Sequence, residues 1–112
     1  MSKFDEALDK YKTAMSGMGM SADEALLTAV TKGLGPSIYL PDASSVSCSD
    51  QTEKDRVKNN FLIKKLGCTD SAALDAAVSA VCDKMGSSNR NKHRAVFYYL
   101  LVKQLGLESK YA

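Results

Sequence analysis

The sequence predicts an all-α fold, a single-domain bundle of about five helices. Apolar residues recur at helical spacing along four segments and fill a fifth almost completely, as buried helix faces require. Strand-like alternation is nearly missing, and capping residues and glycines punctuate the chain at helix-length intervals. At 112 residues the chain is long enough to close one core, and residues 1–112 read as one domain with 1–3 and 107–112 as loose ends.

The first helix is expected over 2–16. Ser2 caps it, and Phe4, Ala7, Leu8, Tyr11 and Met15 form its inner stripe. "SGMGM" breaks the chain, after which Ser21 and Glu24 have the spacing of a capping box for a second helix, 21–34. "KGLGPS" stops that helix. Residues 36–49 then form the one long irregular segment: Ile38, Tyr39 and Leu40 are extendable, but Pro41 follows and no pairing strand is in view. Its apolar residues suit a segment lying across the bundle. Asp50 and Glu53 mark the start of a third helix, 50–66, with Gly67 as its C′ residue. Thr69 or Asp70 caps a fourth, 70–85, ended by Gly86. Ser88 or Asn89 caps a fifth, 89–105, ended by Gly106. Apolar all round from Ala95 to Val102, the fifth should be central.

Two pairs of segments echo each other. "ADEALLTAVTKGLG" (22–35) aligns with "ALDAAVSAVCDKMG" (73–86), and "VKNNFLIKKLG" (57–67) with "VFYYLLVKQLG" (96–106). Two related helical hairpins behind an N-terminal helix would produce this, and so would convergent alanine-rich helix chemistry.

Charge is unevenly spread. Residues 1–53 carry eight acids and four bases, residues 54–112 five acids and eleven bases, and no acid occurs from Lys84 to Leu107. The positive field concentrates in "SSNRNKHRAVFYYLL", where Asn89, Arg90, Asn91, Lys92, His93 and Arg94 precede the apolar run. Cations at a helix start oppose the backbone dipole, so an anion should offset them. That anion is internal or external. The excess acids Asp5, Glu6, Asp9, Asp23 and Glu24 are internal candidates, with Arg94, deepest in the helix, as the partly buried member of a pair. A phosphate, nucleic acid or acidic partner is the external one, met by Arg90, Lys92 and His93. One short cluster neutralises few phosphates, which counts against nucleic acid.

Other patterns read as structure. Tyr98 and Tyr99 diverge by about 100° on a helix and form no single stacking platform; one should pack inside and one place its hydroxyl at the rim. "GMGMS" lacks the Lys-Ser/Thr ending of a phosphate loop and is followed by acids, so its glycines are turn residues and Met15, Met18 and Met20 core filler. His93 is the sole histidine; neighbouring cations should lower its pKa and no nearby carboxylate orients it. "SCS" at 47–49 lacks a nucleophile-elbow signature, so no catalytic residue is nominated. Cys48, Cys68 and Cys82 show no C-x-x-C pair, and with one histidine they offer no zinc spacing. All three thiols are expected free and buried in a reducing compartment, without metal or cofactor. "MSKFDEALDK" lacks the apolar stretch of a signal peptide, and "AVFYYLLV" is too short to span a membrane, so a cytoplasmic protein is expected.

"LLTAVTKGLGPSIY", "DASSVSCSD", "RVKNNFLIKKLG" and "SSNRNKHRAVFYYLL" together resemble a family of small bacterial proteins, a domain of unknown function, from about Phe4 to Leu105. The resemblance implies a bacterial, soluble, stand-alone protein and carries no activity or site. The expected function is a small non-enzymatic interaction or regulatory module, binding a protein partner or forming a homodimer. The alternative is nucleic-acid or phosphate-ligand binding through residues 89–94.

Overall fold

The computed structural model describes residues 2–40, 45–86 and 92–111. α1 spans Lys3–Gly17 and buries Tyr11 and Met15; the Ser2 hydroxyl accepts the Asp5 N–H at 3.1 Å, the cap the sequence predicts. Gly19, with φ +74°, turns the chain, and Met18 and Met20 pack against the core.

α2 spans Glu24–Leu34. Its cap is Asp23 rather than Ser21: the Asp23 carboxylate accepts the Leu26 N–H at 3.2 Å. The reason lies in the last long helix, where the Tyr99 hydroxyl accepts the Asp23 N–H at 2.8 Å and fixes that residue at the helix entrance. One 3₁₀ turn, Gly35–Tyr39, follows and buries Ile38.

Asp50 caps α3, as predicted, by accepting the Thr52 N–H at 2.9 Å. α3 is α-helical over Gln51–Arg56 only, and Val57–Lys65 continue it as a π-helix. The sequence pattern explains the wider winding. Val57, Phe61, Leu62 and Leu66 are all buried. On an α-helix these residues would fan round half the circumference. An i→i+5 ladder brings residues four and five apart onto one face, and these four are spaced by those intervals. Gly67, φ +73°, closes the helix, with its N–H donating to the Ile63 carbonyl at 3.0 Å and the Cys68 N–H to that of Leu62 at 2.9 Å.

α4 spans Ala72–Met85 and begins at Ser71, without a side-chain cap bond. Asp70, an expected cap, instead pairs with Lys58 at 3.3 Å, together with Asp75 at 3.2 Å.

α5 spans Arg94–Leu105, starting five residues later than the sequence pattern indicates. The expected caps, Ser88 and Asn89, lie outside the described residues. His93 occupies the cap position, where the chain is paired with the crossing segment and is not helical. Ser45 and His93 form an antiparallel bridge, and the Val46 N–H donates to the Lys92 carbonyl at 2.8 Å. The irregular segment thus finds a pairing partner that the sequence does not reveal. Every residue from Ala95 to Val102 is buried, with α4 and α2 packed on either side and α1 against both α2 and α5. α2 and α4, one of the two echoing pairs, both flank α5. Residues 108–111, expected to be loose, form a 3₁₀ turn against α2. Gly106 ends α5 in the left-handed conformation.

The cysteines depart furthest from expectation. Cys48 and Cys82 are joined by a disulfide, with Cα atoms 5.9 Å apart, and Cys68 alone is a free thiol. The expectation of three free thiols is therefore wrong. A 34-residue separation carries no pairing signal; only the path of residues 45–50 past the last turns of α4 brings the two sulfurs together.

Candidate functional site

Of the six residues nominated at the start of α5, Asn89, Arg90 and Asn91 lie outside the described residues. The other three are built into the bundle. Lys92 and His93 are buried, and Arg94 is half-buried.

Arg94 is the hub. Its Nη2 reaches Glu53 Oε1 at 2.5 Å and donates to the Ser45 carbonyl at 3.2 Å, while Nη1 donates to the Tyr98 hydroxyl at 3.0 Å. The Arg94 and Glu53 side chains are only 15% and 13% exposed, so water screens this pair little. Burial opposes the guanidinium charge, but Tyr98 and Glu53 more than offset it and raise the Arg94 pKa. The Tyr98 ring stacks on Phe61, centroids 3.8 Å apart, and so links α5 to the π-helix. Burial raises the Tyr98 pKa against the pull of Arg94.

The acid that meets Arg94 comes from α3, not from the first two helices. Asp5, Glu6 and Asp9 sit on the exposed side of α1, and Asp9 and Glu24 engage Lys12 at 3.6 and 3.2 Å. Glu53 was legible as an acid near a helix start but not as a partner for a residue 41 positions away.

His93 packs against Tyr11, ring centroids 5.2 Å apart. Burial, and then the charge of Lys10, lower its pKa. The direction matches the sequence expectation; the leading cause is burial rather than neighbouring cations. Tyr98 and Tyr99 are both buried, and both hydroxyls serve the fold, so neither marks the rim.

The sequence does not reveal the Ser45 carbonyl as a partner of Arg94, the packing of the inner-stripe Tyr11 on His93, or the disulfide. All three enter through the long segment or α1, whose approach to α5 no local pattern encodes. A cleft of about 150 Å³ lies between α3 and α4, lined by Gln51, Lys54, Asp75, Val78 and Ser79. That is below the usual size of a small-molecule site, roughly 300–1,000 Å³. Among the described residues no group of three His, Cys, Asp or Glu side chains is placed to hold a metal, and no helix is long and apolar enough to cross a membrane.

A search of curated proteins finds no match. The family model for a protein of unknown function, DUF2853, matches residues 10–109, from the middle of α1 to the closing 3₁₀ turn, and the chain belongs to that family.

Proposed function

We propose that this protein is a small non-enzymatic interaction module, binding another protein or a second copy of itself in a bacterial cytoplasm. The observation that carries this reading is the pair Tyr39 and Leu40. They are 45% and 57% exposed, the exposed large apolar side chains among the described residues. Ile38, buried beside them, anchors the turn that presents them. An aromatic and a leucine held out on a fixed turn suit the apolar centre of a protein contact.

The rival, anion binding through residues 89–94, is weakened by the fate of its members. Arg94 is engaged by Glu53, Ser45 and Tyr98, and Lys92 and His93 are buried.

Affinity capture from a bacterial extract, with and without nuclease, tests the proposal alongside light scattering of the purified chain. The expected result is a nuclease-resistant partner or a dimer that the double variant Tyr39→Ser/Leu40→Ser loses. Capture abolished by nuclease and unchanged in the double variant would favour the polyanion reading instead.

A further inference from the structure

The Cys48–Cys82 disulfide joins elements of unlike standing. Cys82 is buried on α4, which packs directly on the central helix, whereas Cys48 is half-exposed on the segment crossing the start of α5. Among the described residues, the segment's other contacts include the antiparallel bridge of Ser45 with His93, the Val46 N–H on the Lys92 carbonyl, the Arg94 guanidinium on the Ser45 carbonyl, and the buried Val46 side chain. The packing of α5 on α4 and on α2 does not pass through it.

We infer that Cys48–Cys82 is a reversible latch, opened by a dithiol reductant that attacks at Cys48, and that its redox state sets whether residues 45–49 cover the start of α5. Approach favours Cys48, the more exposed of the two residues. One thiolate of the dithiol bonds to Cys48 Sγ as the Cys48–Cys82 bond breaks, and the electron pair leaves on Cys82 Sγ, which takes a proton. The second thiolate of the reductant then displaces Cys48, closing the reductant's own disulfide, and Cys48 takes a proton. Two electrons and two protons pass to the protein, and a disulfide-class oxidant takes them up again, becoming a dithiol as Cys48–Cys82 re-forms.

With the latch open, the described contacts left to the segment are its main-chain pairing with Lys92 and His93, the Arg94 guanidinium on the Ser45 carbonyl, and one buried valine. Residues 45–49 then become the least stable part of the fold, and the paired backbone of Lys92 and His93 loses its cover. This device rests on Cys48 and Cys82 alone and does not depend on Tyr39 or Leu40.

Amide hydrogen exchange of the full chain, before and after treatment with dithiothreitol in native buffer, tests the latch. In the oxidised protein the Val46 amide should be protected. In the reduced protein it should exchange within ~10-fold of the unprotected rate, while Leu101 stays slowed by more than ~100-fold, as local opening under a standing core requires. Cys48→Ser without reductant should give the same pattern. Val46 remaining protected after reduction would overturn the inference. So would loss of protection at Leu101 together with Val46, since the disulfide would then hold the whole bundle, or a disulfide that dithiothreitol reduces only in denaturant.

Discussion

Arg94 on α5 and Glu53 on α3 meet as a largely buried ion pair, 41 residues apart in sequence. The most basic stretch of the chain is thereby tied to an acid of its own fold. The same guanidinium holds the Ser45 carbonyl and the Tyr98 hydroxyl, so one side chain links the crossing segment, α3 and the central helix.

Reducing Cys48–Cys82 should lower global stability while leaving the protein folded at room temperature. A disulfide closing a loop of 34 residues constrains the unfolded chain by about 3–4 kcal/mol in the loop-entropy account. Thermal melts with and without dithiothreitol should differ by roughly 10–15 °C for a domain of this size. A difference of a degree or two would mean that the unfolded chain gains little from the link.

Stability should fall on mild acidification through His93. Its folded pKa lies below the ordinary 6.5, so the unfolded chain takes up the proton first. The contribution of neutral His93 is therefore complete above the unfolded pKa and is lost as pH drops below it, towards the folded value. Lys10 and the start of α5 both oppose the charged ring. Melts between pH 7.5 and 5.5 should show a steeper loss for the natural protein than for His93→Gln. Parallel pH profiles would count against this role.

Tyr99→Phe should destabilise by about 1–2 kcal/mol. The ring remains packed, but the Asp23 N–H loses its acceptor at the entrance of α2. Urea denaturation measures it, and no change would show that water takes over the bond.

How far the sequence disclosed this fold depended on how local each signal was. The caps at Ser2 and Asp50, the glycines at 67, 86 and 106, and the apolar girdle of α5 act within a turn or two, and each is found where the pattern puts it. The π-helical stretch was legible in principle, since Val57, Phe61, Leu62 and Leu66 are spaced for it, but an α-helical period absorbs the same residues. Asp23 displaced Ser21 as a cap because of a hydroxyl 76 positions away. The late start of α5 and the disulfide share one cause, the path of residues 45–50, which non-local packing sets. At the candidate site, composition indicated a buried role for Arg94 but gave no hint of which acid would answer it.

The central claim is that the basic start of α5 is a clamp inside the fold, and a double-mutant cycle on Arg94 and Glu53 tests it most directly. Urea denaturation of the natural protein, Arg94→Ala, Glu53→Ala and the double variant yields the coupling between the two side chains. Either single change should cost about 3–5 kcal/mol, because it strands a buried charge. The double variant should be less destabilised than the two single losses combined, with a coupling of roughly 1–3 kcal/mol. A coupling below about 0.5 kcal/mol, with Arg94→Ala nearly as stable as the natural protein, is what an exposed pair would give. That result would contradict the clamp and return Arg94 to the surface as a ligand-binding residue.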